Sequence, residues 1–440
     1  MNGIFDKIGL GLRTYGHALG AIRRQYRPED IRAIQERKLR ALLAHCYENT
    51  KYYREVFDDA GIRPGDIRTA EDLVNVPVLK RDTLRERFWD FLPHELPACR
   101  VSRTSGSTGS PVCILSDRNS RMHNSAAVIR YRRAAGMRLA GGAILTPLKT
   151  AEEGHKEPHC TFLQGVHKTY YVNPYLDSSE HTAYATKVLE KLRKAALIGI
   201  TPAIKALAYK VRDGVLPSFR PIAILPMGEI LTAELRELLE STFRARVYDI
   251  YACNEAGDVA WQCEEGRGYH INADNCIVEI LKDGKACEPG EVGEVAITNL
   301  NRYSMPIIRY KNGDLGRLAS EGCGCRCRLP ILAEIIGRTG EDIVLPGGGT
   351  MAWNRLKSEA TCAQIRQFQI VQNADGDLTV RYVPENGADI GELEGLLAKR
   401  YAKLLGDCVK VSIEPTERIA PEASGKMKLV ISNYRRASSR

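Results

Sequence analysis

Thr104-Ser-Gly-Ser-Thr-Gly-Ser-Pro111 places four hydroxyl side chains and two glycines in its first six positions. Glycine lets a backbone approach an anion closely, and hydroxyls with backbone N–H groups donate to phosphate oxygens. No Gly-Lys-Ser/Thr closes the segment, so it is not a Walker loop. The residues alone leave two readings open, a flexible surface loop and a phosphate binder.

Outward from this segment, short apolar runs alternate with helical patterns between 141 and 300. Ile222-Ala-Ile-Leu-Pro226 reads as a buried strand, 232–242 as a helix, and Arg246-Val-Tyr-Asp-Ile-Tyr251 as a strand. Such alternation predicts α/β architecture. Residues 276–281 and 292–298 read as paired strands around Lys282-Asp-Gly-Lys285. Towards the N-terminus, 28–60 reads as helix, with apolar residues at Ile31, Ile34, Leu39, Leu42 and Leu43. The Thr69 to Asp72 spacing resembles a helix N-cap. The texture changes at Gly337-Arg-Thr-Gly340 and Pro346-Gly-Gly-Gly-Thr350, which marks a domain boundary. Beyond it, 367–372 and 378–383 read as strands and 390–405 as an amphipathic helix.

The chain has 440 residues, 44% hydrophobic and 27% charged, which suits a soluble protein of two or three domains. No apolar run approaches the roughly 18–20 residues of a membrane span. Residues 4–24 are weakly amphipathic, and a helix packed on the body is favoured over one lying on a membrane. The net charge of +9 comes from scattered Lys and Arg without aromatic interleaving, which argues against nucleic acid. Thirteen cysteines in a chain without a secretory signal predict free thiols and the cytoplasm. A homodimer is left open.

Cys263 and His270 bracket Glu-Glu-Gly-Arg-Gly-Tyr, and Cys323-Gly-Cys325 follows. Three thiolates and an imidazole can close a tetrahedral Zn²⁺ site, and buried apolar cysteines are the alternative. Cys327 is a third thiol of the same five-residue run. His155, His159 and His167 show no metal-like arrangement.

Taken with four further segments in order, the Ser/Thr/Gly stretch resembles the phosphate loop of the adenylate-forming superfamily: acyl-CoA synthetases, luciferases and peptide-synthetase adenylation domains. Tyr248-Asp-Ile-Tyr-Ala-Cys-Asn-Glu255 resembles its Tyr-Gly-x-Thr-Glu segment, with Ala252 for Gly and Asn254 for Thr. Arg309-Tyr-Lys-Asn-Gly-Asp314 resembles Tyr-x-x-Gly-Asp. Gly337-Arg338 resembles the pair before the inter-domain hinge, and Ser424-Gly-Lys426 the segment of the catalytic lysine. A narrower resemblance, to phenylacetate–CoA ligases and CapK-like proteins, covers nearly the whole chain. It rests on Leu39–Arg54, Asp72–Lys80, Gly228-Glu229 and Met305–Tyr310, and on the short length.

The resemblance implies an α/β fold with a large multi-sheet N-terminal domain (1–338), a hinge (339–342) and a small mobile α+β C-terminal domain (343–440). It implies ATP-dependent activation of a small, commonly aromatic, carboxylic acid, then transfer to coenzyme A. Transfer to an amine or carrier-protein thiol, and a non-catalytic nucleotide-binding homologue, are the alternatives. Thr104, Ser105, Gly106, Ser107, Thr108 and Gly109 are expected at the phosphates, Tyr251 beside adenine, and Asn254 at a phosphate or carboxylate oxygen. Asp314 is expected on the ribose, with Arg338 also at the nucleotide. Gly228, Glu229 and Tyr251 are expected to border the acid. Glu255 would hold Mg²⁺ and Lys426 would act in catalysis. The group's Cys…His…Cys-x-Cys pattern implies structural zinc on Cys263, His270, Cys323 and Cys325, the last two selected by matching Pro330. Where the family carries an acidic hinge residue this chain has Gly340, followed by Glu341 and Asp342.

Overall fold

The computed structural model describes residues 2–103, 112–138, 143–147, 160–163, 167–192, 194–338, 343–346, 349–351, 353–362, 364–406, 409–420 and 429–434. Contacts divide the chain into a large unit ending at Gly337 and a small one beginning at Arg338.

The large unit is built on a thirteen-stranded sheet. Its parallel part runs through Ala143–Pro147, Ala195–Ile200, Ala223–Met227 and Ile250–Cys253. Ala195–Ile200 is buried at every position, as a strand covered on both faces must be. Helices Thr201–Arg212 and Ala233–Phe243 form the crossovers. Pro202 sits in the first turn of one, and the Thr232 hydroxyl caps the other by accepting from Leu235 N–H at 3.2 Å. Ile204, Leu207, Leu239 and Phe243 bury these helices against Leu197 and Ile224. After Ile250–Cys253 the sheet turns antiparallel, through Gly257–Trp261, Tyr269–Ile271 and the longer strands Cys276–Lys282, Gly293–Asn299 and Tyr310–Leu318.

Four local expectations need correction. The helix expected over 28–60 is two helices, Pro28–Asn49 and Lys51–Asp59. Thr50 between them is extended and turns its hydroxyl onto the Cys46 carbonyl at 2.7 Å. Both helices bury into one cluster, which is why the apolar spacing runs through the break. At Thr69 the cap is inverted: its N–H and hydroxyl donate to Asp72, and the helix is a 3₁₀ turn, Glu71–Asn75. The strand expected at 246–251 begins at Ile250, and Val247 makes only an isolated bridge to Ile224. Cys276–Lys282 and Gly293–Asn299 do pair as expected, but the 282–285 turn does not join them: it is closed by the two-residue strand Lys285–Ala286 on the other edge of Cys276–Lys282.

The N-terminal helix Asn2–Arg24 packs on the body. Ala18 and Ile22 meet Ala126 and Ile129, and Arg24 reaches Asp274 at 3.2 Å. Buried Arg130 pairs with the same carboxylate at 2.5 Å. Burial alone would raise the Asp274 pKa, but Arg130, Lys38 and Arg24 hold it well below the usual carboxylate range. No described helix is long and apolar enough to cross a membrane.

In the small unit, four strands run in the order Val411–Pro415, Leu378–Pro384, Ile365–Gln372, Val430–Ser432. Helices Trp353–Ala360 and Ile390–Leu405 cover one face, burying Leu356, Leu393, Leu397 and Tyr401 against Ile370, Val380 and Tyr382. Asp389 caps the longer helix, accepting from Glu392 N–H at 3.0 Å.

Candidate functional site

Ligands of open α/β sheets bind beyond the carboxyl ends of parallel strands. Met227 and Cys253 end two such neighbours here, and the residues after them, Gly228-Glu229 and Asn254-Glu255, are sites expected from the sequence. Asn254-Glu255-Ala256 forms a tight turn into Gly257–Trp261. Gly257 has φ +83°, and a Cβ there would stand 2.4 Å from Asn124 Oδ1, so only glycine fits. Asn124 Oδ1 also accepts from Asp258 N–H at 2.9 Å.

This turn gathers three other segments. Strands Arg100–Arg103 and Cys113–Ser116 pair as a hairpin with Arg103 opposite Cys113. The Ser/Thr/Gly stretch therefore connects the two strands. Thr104 to Gly109 themselves lie outside the described residues, as do 339–342 and Lys426. Asn254 Nδ2 reaches the Arg103 carbonyl at 3.5 Å, placing the foot of that connection at the turn. Buried Arg302 donates to the Leu115 carbonyl at 3.1 Å and the Asn254 carbonyl at 3.3 Å, tying hairpin and turn together. Burial lowers its pKa.

The third segment is the strand Tyr310–Leu318. Tyr251 donates its phenol proton to Asp314 Oδ2 at 2.7 Å. Burial, and after it the Asp314 charge, push the Tyr251 phenol well above its ordinary value, so it stays a donor. Tyr310 donates to Glu255 Oε1 at 2.9 Å, and Arg81 Nη1 lies 3.8 Å from the same oxygen. Arg81 arrives there because Leu79 bridges Tyr310: Leu79 N–H donates to the Arg309 carbonyl, and Lys311 N–H to the Leu79 carbonyl. Arg309 holds a left-handed φ of +49°, which is costly for a side-chain-bearing residue. Its buried guanidinium offsets this, pairing with Glu279 at 3.0 Å and donating to the Val76 carbonyl at 2.6 Å.

Tyr251, Asn254, Glu255 and Asp314 are thus brought together. Glu229 follows Met227 and has Tyr175 as an electrostatic neighbour, whose phenol is raised by burial and then by that charge. Arg338 ends the strand Ile331–Arg338. His155 and His159 lie outside the described residues, and His167 opens the strand His167–Val172. Sequence reasoning missed Arg81, Arg103 and Arg302, and saw Tyr310 and Asn312 only as part of a motif.

A second cluster stands apart. One ligand atom from each of Cys263, His270, Cys323 and Cys325 lies within 4.8 Å of the others. Cys263 Sγ is 3.6 Å from Cys323 Sγ, and Cys325 Sγ 3.3 Å from His270 Nε2. Zinc–sulfur bonds of about 2.3 Å give tetrahedral edges near 3.8 Å, so three thiols and an imidazole at these spacings fit the ion. Cys327 is not a donor in this set. It is buried in the core, and its backbone N–H points at Cys325 Sγ at 3.3 Å.

Comparisons with known proteins bear on the fold and its family. Residues 355–433 match the CapK C-terminal domain model. The chain is 29% identical to the phenylacetate-coenzyme A ligase of Thermus thermophilus over 441 residues, covering 92% of this chain and 96% of that one. It is 22% identical to protein CapK of Staphylococcus aureus, covering 99% and 96%. Among solved structures, a 2-hydroxyisobutyryl-CoA ligase in the postadenylation state with 2-HIB-AMP shares the fold. The TM-score is 0.75 at 21% identity, covering 92% of this chain and 90% of that one. These matches support the resemblance to the adenylate-forming superfamily, in its phenylacetate–CoA ligase and CapK-like subgroup.

Proposed function

We propose that the protein is an AMP-forming acid–CoA ligase that activates a small carboxylic acid. One observation carries the reading: Tyr251, Asp314, Asn254 and Glu255 converge at the ends of parallel strands, beside the foot of the Ser/Thr/Gly segment. Aryl acids, the substrate class of the phenylacetate-coenzyme A ligases, are the first candidates.

A carboxylate is a poor acyl donor because oxide leaves badly. Attack on the α-phosphorus of ATP expels pyrophosphate and gives an acyl-adenylate, from which the thiol of coenzyme A displaces AMP. Positioning and charge stabilisation carry the rate in such chemistry. Tyr251 borders the adenine and Asp314 takes the ribose hydroxyls. Residues 104–109 hold the departing pyrophosphate, with Asn254 at their foot and Arg338 also at the nucleotide. Gly228 and Glu229 border the acid. Glu255 is a buried carboxylate suited to Mg²⁺, which binds through one or two carboxylates plus phosphate oxygens and supplies charge neutralisation there. Lys426 meets the charge that develops at the α-phosphate. Residues 1–338 form the adenylation core, and 343–440 turn about 339–342 between the half-reactions, withdrawing the lysine. Zinc on Cys263, His270, Cys323 and Cys325 clips the loop between two strands and takes no part in the chemistry.

The experiment is a panel of carboxylic acids assayed for pyrophosphate release, with and without coenzyme A. The proposal expects release with one acid class and a thioester when coenzyme A is added. Release without a thioester would move the acceptor to an amine or carrier protein. ATP binding without release for any acid would make the chain a non-catalytic homologue.

A further inference from the structure

Asn312 stands between Tyr251 and Asp314, and its carboxamide bonds to both. Its Oδ1 accepts from the Asp314 N–H at 3.0 Å, closing a turn over Gly313, whose φ is +84°. Its Nδ2 donates to Asp314 Oδ2 at 2.6 Å and to the Tyr251 hydroxyl at 2.7 Å. The Tyr251 phenol closes the triangle on the same Oδ2. The carboxamide orientation is fixed by these partners: a flip would set its oxygen against the carboxylate and its amide against an N–H.

We infer that Asn312 is a positioning residue for ribose recognition, holding the Asp314 carboxylate and the Tyr251 phenol in one arrangement before the nucleotide arrives. This rests on the reading of Asp314 as the ribose-binding group. Both donors converge on one oxygen, so rotation of the carboxylate about its Cβ–Cγ bond is set internally. A group ordered in advance loses less freedom on binding. Asparagine suits the place because it offers one acceptor and two donors in a single plane. Aspartate of the same shape offers acceptors only, and threonine a single hydroxyl. Asn312 is buried at 6% exposure, so water does not readily replace what it supplies.

Its carboxamide acts on the two residues read as meeting the nucleoside, so its loss should show in ribose discrimination. Calorimetry would compare the affinities of Mg-ATP, Mg-2′-deoxyATP and Mg-3′-deoxyATP for the full chain and for Asn312→Thr, Asn312→Ala and Asn312→Asp. The preference for ATP over both analogues should fall about tenfold in Asn312→Ala, as expected for a hydrogen bond to a charged group. It should fall less in Asn312→Thr, which keeps a hydroxyl for the turn. The fall should be largest in Asn312→Asp, which sets a second carboxylate against Asp314. Equal weakening for all three nucleotides, or an unchanged preference in the folded Thr and Ala variants, overturns the inference. Asp314→Ala separates the two levels. If it keeps the native preference, the ribose reading fails and this inference with it. If it abolishes the preference while the Asn312 variants keep theirs, only the inference fails.

Discussion

Tyr310 donates to Glu255 Oε1 at 2.9 Å, the oxygen that Arg81 also faces at 3.8 Å. Glu255 is 5% exposed, so its carboxylate is aimed by protein groups more than by water. Burial, and then the Glu255 charge, raise the Tyr310 phenol above its ordinary value and keep it a donor. With that donor in place the carboxylate is held in one orientation, the one a cation bound there would meet on the proposed reading.

Tyr310→Phe should therefore raise the Mg²⁺ concentration needed for half-maximal pyrophosphate release. The maximal rate should fall roughly tenfold, the scale of one hydrogen bond to a charged group. A Mg²⁺ titration of both proteins at saturating ATP checks this. An unchanged Mg²⁺ requirement would mean that Tyr310 does not set the Glu255 carboxylate.

Purified protein should carry about one zinc per chain. Cys323→Ser and Cys325→Ser should each lower zinc content and thermal stability. Cys327→Ser should keep its zinc, because that thiol is in the core and only its N–H serves the cluster. Elemental analysis beside thermal melts separates the cases. Full occupancy in a Cys323→Ser, Cys325→Ser double variant would remove both from the ligand set.

What was legible in the sequence was local. Ala223–Met227 and Ile390–Leu405 carry their pattern in adjacent residues, and Asn254-Glu255 and Asp314 sit in short recognisable segments. The pairings that make a site of them join distant residues. Arg302 reaches Leu115 across 187 positions, and Arg81 meets Glu255 only because Leu79 adds itself beside Tyr310. No spacing rule marks such residues, and an isolated Arg in a sequence reads as surface charge. Strands of four residues flank the Ser/Thr/Gly segment, too short for alternation to show. Asn312 was visible as an unmatched letter of the Asp314 motif, but its three bonds depend on the Gly313 turn and on Tyr251 arriving from another strand.

Asp249 gives a pH signature of defined sign. Burial pushes its pKa up to about 6, outweighing hydrogen bonds from Tyr269 and the Ile250 N–H and the charge of Arg236. Unfolded, it titrates near about 3.9. The folded state therefore holds the proton more tightly, and this group's contribution is full below about pH 3.9 and lost as pH rises to about 6. Asp249→Asn removes that dependence. The stability of the variant relative to the native protein should increase between pH 4 and pH 7, by on the order of 2 kcal/mol. Denaturant melts across that range measure it. A constant difference between the two proteins would show that Asp249 does not titrate there.

Lys426 is the assignment whose test reaches furthest into the mechanism. It rests on the Ser424-Gly425-Lys426 match and on two-step chemistry. Adenylation builds negative charge at the α-phosphate, so losing one preorganised cation there should cost on the order of 10²–10³ in rate. On the proposed turn about 339–342, thioester formation follows once the lysine has been withdrawn. Lys426→Ala should then lose most pyrophosphate release yet still convert supplied acyl-adenylate and coenzyme A into thioester. Lys428 is the rival. In an extended backbone the two would share a face about 7 Å apart, too far for both to reach one oxygen, so Lys428→Ala should be much milder. Adenylation stopped by Lys428→Ala but not by Lys426→Ala would shift the assignment by two residues. Equal loss of both half-reactions in folded Lys426→Ala would mean that the lysine stays in place throughout, and the proposed turn about 339–342 would have to be given up.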